Sequence, residues 1–381
     1  MRILIFYASY GGGHLSAAKS IKQFIDDNYT SAEVKMVDCV KYINTGIDKI
    51  TTDSYKIMAK TAPWAWGKIY KLSEHGPIAH ISEFSNKIMS IKLNKLFEEF
   101  NPDIVISTHP FGTQMTAILK KHNKTHCKLA SIMTDFASHD QWLIGNEFID
   151  YIFVSHDGMK KEIIKKGIPA EKIFATGIPL SNRFLQHFNR SNIKTSFDLD
   201  LNKKTILFFG GGEFGLGKEQ TVKILSAFID ALKDEYQMIV ISGKNKKIEE
   251  KFNYLVLEKN ATKSVQVYGY TNEVPELMSI SDLVVTKPGG LTITESLASG
   301  LPIVVINPIP GQEVENAEFL EKQGVAVWIR KYEEPEQTIS DLLSNVQELQ
   351  HMKIRSKLLA KKHSTRDICL TILGNYKSPS A

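Results

Sequence analysis

Two short stretches of the chain carry residue types that could do chemistry. The first is Gly11-Gly12-Gly13-His14, which directly follows an apolar run. Glycines let a strand-to-helix turn bend tightly and bring the backbone close to a ligand. A helix N-terminus disfavours an imidazolium, so His14 should stay neutral and able to accept a proton. The second stretch runs from Thr286 to Ala317 and reads strand end, glycine turn, helix, strand, second glycine turn, second helix. Each of its helix starts offers free N–H groups and a positive dipole end to an anion. Between them sit Glu295, Gln312, Glu313 and Asn316, side chains that bind hydroxyls. A phosphate seat beside hydroxyl acceptors points to a sugar nucleotide.

Each of these residues has a plainer alternative. His14 also reads as a polar residue on an exposed helix start. Thr292-x-x-Glu295 has the spacing of a capping box, in which Glu295 caps its own helix. Against that, a carboxylate one turn from a glycine-lined phosphate seat suits both vicinal hydroxyls of a ribose. Gln312 and Asn316 share a helix face with Glu313 beside it, as a solvated helix start or as sugar ligands aimed by the Pro310-Gly311 turn. Thr134-Asp135-Phe136, with His139 and Trp142, closes a strand. Asp135 there orients His14, serves as the base itself, or is a turn residue. As a dinucleotide fingerprint Gly11-x-Gly13-x-x-Ser16 is a poor match, with Ser where Gly or Ala belongs and Asp38 as the ribose ligand. Gly210-Gly211-Gly212, extended by Gly215 and Gly217, repeats the glycine turn, but Gly-Leu-Gly-Lys-Glu lacks the Ser or Thr of a P-loop. Asp198-Leu199-Asp200 has the look of a metal-binding pair but sits in a polar connector, so no metal is expected.

The elements that must position these groups alternate strand and helix. In the first half, strands are expected at Arg2–Tyr10, Glu33–Val40, Asp103–Thr108, Lys128–Thr134, Tyr151–Ser155 and Lys172–Thr176, with a helix at Leu15–Asp27 and a long, mostly helical stretch from Ile43 to Phe100. Residues 181–204 are polar and read as a linker. A second cycle brings strands at Thr205–Phe209, Met238–Ser242, Val265–Tyr268, Asp282–Thr286 and Ile303–Asn307. Such apolar strands alternating with helices imply α/β architecture: two Rossmann-like, doubly wound parallel-sheet domains. The expected division is 1–180, a linker 181–204, 205–345, and a basic helical stretch 346–381 that crosses back to the first domain.

At 381 residues, two domains are the default, and 43% hydrophobic with 23% charged residues describes a folded chain. Cys39, Cys127 and Cys369 form neither a metal-ligand spacing nor a disulfide framework, which fits a reducing compartment. The run Ile3–Ala8 is too short for a signal-peptide core and reads as a first strand. Between Tyr55 and Lys95 seven lysines face two glutamates, a surplus equal to the net +5 of the whole chain. Trp64, Trp66 and Tyr70 lie among them. Aromatics interleaved with lysines suit an anionic membrane interface, or a solvated face over a core stripe.

With these motifs in place, the chain resembles the bacterial diacylglycerol glycosyltransferases and the plastid monogalactosyldiacylglycerol synthases of glycosyltransferase family 28. It is more distantly similar to the peptidoglycan lipid-precursor N-acetylglucosaminyltransferase. The resemblance runs nearly end to end. It rests on Gly11-Gly12-Gly13-His14, His109-Pro110, Met133-Thr134-Asp135-Phe136 with His139 and Trp142, and Thr176-Gly177-Ile178-Pro179. Its most specific part is Thr286-Lys287-Pro288-Gly289-Gly290 through Glu295 to Pro310-Gly311-Gln312-Glu313 and Asn316. It implies a GT-B fold whose domains face a cleft, a UDP-glucose or UDP-galactose donor in the second domain, and a diacylglycerol hydroxyl acceptor at the first. It also implies inversion to a β-glycoside, with no metal or cofactor and no nucleic-acid partner.

Position by position, the resemblance implies that His14 is the general base, with Asp135 beside it. It makes Glu295 the ribose ligand and Gln312, Glu313 and Asn316 the hexose ligands. Tyr268, Tyr270 and Thr271 would flank uracil, and Gly212 and Gly290 the phosphates, with Gly289 and Thr292 also in the donor site. Gly13 and His109 would face the acceptor, and Trp142 would lie near the membrane or the acceptor. Trp64, Trp66 and Lys68 would dock on an anionic membrane, making the protein peripheral to the cytoplasmic face of the cell membrane. One departure touches the acceptor: a basic residue is expected after Gly177-Ile178-Pro179, where Leu180-Ser181-Asn182 stand and Arg183 is displaced. The alternatives are a soluble UDP-sugar epimerase of the same two-domain fold and the lipid-precursor N-acetylglucosaminyltransferase.

Overall fold

The computed structural model describes residues 1–9, 12–43, 93–210 and 218–374. Gly11, Gly212, Trp64, Trp66 and Lys68, and most of the expected helical stretch from Ile43, lie outside the described residues. The chain forms two compact units, Met1–Asn182 with Lys361–Ala381, and Arg183–Ala360.

The first unit holds a six-stranded sheet of β1 (Arg2–Tyr7), β2 (Glu33–Asp38), β3 (Ile104–Ser107), β4 (Lys128–Ile132), β5 (Tyr151–Phe153) and β6 (Ile173–Phe174). Their order is β2-β1-β3-β4-β5-β6, and every pairing is parallel. β1 explains why such strands read as unbroken apolar runs. Successive side chains point to opposite faces, so Leu4 and Phe6 enter one core while Ile3 and Ile5 enter the other. The last helix, Ser364–Leu373, covers this second face with Ile368, Cys369, Ile372 and Leu373. Each such side chain contributes about 1.5–3 kcal/mol by leaving water.

The start of that helix is tied to the Gly177–Leu180 segment. Ser364 Oγ donates to the Ile178 carbonyl at 2.6 Å, and Thr365 Oγ1 both accepts from Leu180 N–H (2.8 Å) and donates to the Leu180 carbonyl (2.7 Å). Gly177 lies at φ 93°, and a Cβ there would meet Lys361 Cβ at 2.5 Å. Only glycine fits both the angle and the space.

The second unit repeats the plan with β7 (Lys204–Phe209), β8 (Tyr236–Ile241), β9 (Val265–Tyr268), β10 (Leu283–Thr286), β11 (Ile303–Ile306) and β12 (Ala326–Ile329), in the order β12-β11-β10-β7-β8-β9. Again all pairings are parallel. β12 was not among the strands expected from the sequence. The C-terminal stretch is two helices instead of one: Val346–Leu359 belongs to the second unit and Ser364–Leu373 to the first.

The polar stretch expected as a linker is folded into the second unit. Its helix Arg190–Ser196 follows a 3-10 turn at Asn182–Leu185. Arg190 donates to the carbonyls of Ser279 and Ile280, and Lys194 to those of Asp200, Leu201 and Lys203. Polar side chains here bind backbone carbonyls in place of apolar packing.

In both sheets the order reverses direction at one place. β1 has β2 on one side and β3 on the other, and β7 has β8 and β10. The ends of β1 and β7 therefore lie at the switch point, where such sheets bind ligands.

Candidate active site

In the first unit the switch point assembles around His14. The helix Gly13–Asn28 starts from Gly12, whose φ of 71° needs no side chain in the way, so His14 is its second residue. The imidazole Nδ1 lies 2.6 Å from the Thr108 carbonyl oxygen at the end of β3. A carbonyl only accepts, so Nδ1 carries the proton, and Thr134 Oγ1 at 3.1 Å shares it. Nε2 therefore holds the lone pair. Thr108 also donates its hydroxyl to the His14 carbonyl at 2.9 Å and its N–H to Phe6 at 2.9 Å, which locks the ring's backbone to two strands. Burial lowers the His14 pKa below its ordinary value, while the Asp135 charge and the Thr108 carbonyl oppose that shift. The result is a neutral base with a fixed tautomer and a nearby carboxylate.

Three more histidines in this unit are fixed as neutral rings. His109, His139 and His156 each precede a helix, and each Nδ1 accepts a backbone N–H, from Phe111, Gln141 and Met159 respectively. His109 stands edge-on to His14, with ring centroids 4.8 Å apart, and burial followed by the neighbouring His14 holds its pKa well below the ordinary value. Trp142 lies 6.5 Å from His14 but is only 2% exposed and belongs to the apolar core. A ring so covered forms part of the wall beside His14. Gly13 is half-buried at the helix start. Asp38 accepts from the N–H groups of Val40 and Lys41, so it caps its own helix and the dinucleotide reading lapses.

In the second unit the turn after β10 leads into the helix Gly290–Ala298, whose N-cap is Gly289 with no side-chain cap. Thr292 is therefore inside the helix and Glu295 a turn too far along to reach the N-cap. The capping box expected from the spacing is not formed, because the helix starts three residues earlier than the motif assumes. Among the described residues nothing hydrogen-bonds or ion-pairs with the half-buried Glu295 carboxylate, and burial pushes its pKa up to about 8. A half-buried carboxylate with no protein partner among the described residues suits a ligand that brings donors.

The helix Gln312–Lys322 meets the same turn. Glu313 Oε2 accepts from Ile309 N–H at 2.7 Å, and its charge acts on Lys287. Asn316 is fully buried and its Nδ2 donates to the Pro288 carbonyl at 2.9 Å. Through this bond Asn316 ties the helix to the turn at Pro288. Gln312, one turn earlier, is half-buried.

At the end of β9, Tyr268 donates its hydroxyl to Gln266. Tyr270 is 61% exposed, with Lys244 Nζ 4.9 Å from its ring centre, and Thr271 Oγ1 accepts from Glu273 N–H. Arg183, the displaced basic residue, donates to the Asn272 carbonyl (2.8 Å) and to Glu276 (2.6 Å), which fixes this loop. Sequence reasoning missed Thr108 and Lys287. A lysine directly before a phosphate-type glycine turn was a usable signal, whereas a backbone carbonyl leaves none.

Comparison with known proteins fits this geometry. Residues 14–180 match the monogalactosyldiacylglycerol (MGDG) synthase family model, and residues 205–369 match the glycosyltransferase family 28 C-terminal domain. A processive diacylglycerol beta-glucosyltransferase of Bacillus pumilus (strain SAFR-032) is 30% identical over 379 residues, covering 96% of this chain and 93% of the relative. Among solved structures, Acinetobacter baumannii MurG has a TM-score of 0.67 at 15% identity, covering 98% of this chain and 100% of its own. Anabaena Alr3699/HepE in complex with UDP has a TM-score of 0.59 at 15% identity, with coverage of 98% and 100%. At those identities the structures speak for the fold alone, which is GT-B. From its two matched domains and its full-length relative, the chain is a glycosyltransferase and belongs to the family of processive diacylglycerol β-glycosyltransferases and monogalactosyldiacylglycerol synthases of family 28.

Proposed function

We propose that this enzyme transfers a hexose, glucose or galactose, from a UDP-sugar to the hydroxyl of diacylglycerol with inversion, giving a β-glycosyl-diacylglycerol. The observation that carries the reading is the fixed tautomer of His14, with Nδ1 bonded to the Thr108 carbonyl and Nε2 left as the base. Nε2 takes the acceptor hydroxyl proton while that oxygen attacks the anomeric carbon opposite the diphosphate. The bond from the anomeric carbon to the diphosphate oxygen breaks, and UDP departs. Asp135 stabilises the imidazolium that forms. Such base catalysis contributes about two to four orders of magnitude.

On the donor side, Glu295 accepts from the ribose hydroxyls, Gln312 and Glu313 read the hexose, and Tyr268, Tyr270 and Thr271 flank the base. The free N–H groups at the start of Gly290–Ala298, with Gly212, take the charge of the departing diphosphate, so no metal or cofactor is needed. The named activity of the Bacillus relative and the UDP held by the Anabaena protein support acceptor and donor class. Diacylglycerol resides in the bilayer, so the lysine-rich window with Trp64, Trp66 and Lys68 docks on the anionic cytoplasmic face of the membrane, and the protein acts there peripherally. No described helix is long and apolar enough to cross a membrane.

The test is incubation of the purified protein with UDP-glucose and, in parallel, UDP-galactose, each with dispersed diacylglycerol. A β-linked glycolipid from one donor is expected. No glycolipid from either would refute the reading, and conversion of the donor without lipid would indicate an epimerase instead.

A further inference from the structure

The carbonyls of Lys287 and Pro288 accept three hydrogen bonds that hold the turn after β10. The Lys287 carbonyl accepts from Gly289 N–H at 2.9 Å and from Thr286 Oγ1 at 3.1 Å, and the next carbonyl, that of Pro288, accepts from the buried Asn316 amide at 2.9 Å. The turn is thus held in place, and the half-buried Lys287 stands two residues before Gly289, the N-cap of the helix Gly290–Ala298, which has no side-chain cap. Glu313 lies at the same place: its Oε1 is 4.0 Å from where a Cβ on Gly289 would be, and its Oε2 is anchored by Ile309 N–H. Lys287 and Glu313 attract one another across the two turns.

A diphosphate seated on this helix start would meet the Glu313 carboxylate at close range. Two like charges in a half-buried site repel strongly unless a cation stands between them. As a stability device the pair has little to recommend it, because a half-buried ion pair is often no better than apolar packing. It does have a use if an anion arrives. We infer that Lys287 is a catalytic residue that contacts the donor's diphosphate, balances its charge against Glu313, and takes up the negative charge of UDP as it leaves. This rests on the UDP-sugar reading of the site. Lysine suits the task because its ammonium is a compact charge on a flexible stem that can turn from a carboxylate to a phosphate.

The experiment compares UDP and uridine binding by calorimetry, with kcat and KM for the donor, in the full-length wild type and in Lys287→Met, Lys287→Arg and the double variant Lys287→Met/Glu313→Gln. Wild type should bind UDP far more tightly than uridine. Lys287→Met should lose about tenfold to a hundredfold in UDP affinity, as for a lost bond to a charged group, with uridine affinity unchanged. Its kcat should fall more than its KM rises, and Lys287→Arg should recover part of both. The double variant removes both partners and so avoids a lone buried carboxylate; it should stay folded and still lack the preference for UDP. An unchanged ratio of UDP to uridine affinity in Lys287→Met and in the double variant would overturn the inference. Wild type that fails to bind UDP at all would instead overturn the reading beneath it.

Discussion

Donor binding should expel a proton, and Glu295 is the group that loses it. Burial pushes its pKa up to about 8, and no described residue pairs with it. At pH 7 a carboxyl with that pKa is only about 10% ionised. Ribose hydroxyls are donors and favour the carboxylate, so the bound form has a lower pKa than the free one. Binding at pH 7 should then release about 0.9 proton, and affinity should rise about tenfold from pH 7 to pH 9 before levelling. UDP-glucose is the ligand to use, since both of its phosphates stay singly ionised across this range. Calorimetry in buffers of different ionisation enthalpy reads the proton count directly. Glu295→Gln has no proton to lose, so its affinity should be weaker at pH 9 and flat between pH 7 and pH 9. Proton release that persists in Glu295→Gln, or wild-type affinity that does not change with pH, would show that Glu295 is not the group that gives up the proton.

Three further outcomes follow from other parts of the structure. The Asp135 charge raises the His14 pKa, so Asp135→Asn should lower it and move the acid limb of kcat/KM to lower pH, with the plateau down roughly tenfold as the imidazolium loses support; a limb that moves to higher pH would contradict this. Gly177→Ala should destabilise the protein by roughly 1–3 kcal/mol in denaturant unfolding, because φ is 93° and the new Cβ would sit 2.5 Å from Lys361 Cβ; unchanged stability would show that the segment is not held as described. Chelation with EDTA should leave glycosyl transfer intact, and a loss restored by added Mg²⁺ or Mn²⁺ would mean that a metal, and not the helix start with Lys287, carries the leaving charge.

Much of the fold could be read from apolar runs because the sheets are parallel and covered on both faces. Arg2–Tyr7 has four consecutive buried residues flanked by half-buried ends, a pattern no exposed-face strand shows. Val-Trp at the centre of Ala326–Ile329 is only half-buried, and that short edge strand was missed. Hydropathy also failed at 181–204, where Arg190 and Lys194 hold the segment through carbonyls that leave no mark in the sequence. In the site, the spacing Thr292-x-x-Glu295 suggested a capping box, but the helix starts at Gly290 and the box is not formed. Several neighbouring residues can start a helix, and a glycine N-cap gives no side-chain signal. Asn316 shares a face with Gln312 as its spacing requires, but lies one turn deeper, where the turn at Pro288 covers it. The feature that defines His14 as a base, the Thr108 carbonyl, lies 94 residues away in sequence and has no residue type of its own.

The central claim is that His14, fixed in one tautomer, removes the acceptor proton. Wild type and His14→Ala should be assayed side by side for β-glycosyl-diacylglycerol formation, with UDP-glucose affinity measured on the same samples. Affinity should be retained, since His14 belongs to the first unit and the donor residues to the second. Product formation should fall by about two to four orders of magnitude. Wild-type rates in His14→Ala with donor binding intact would contradict the account.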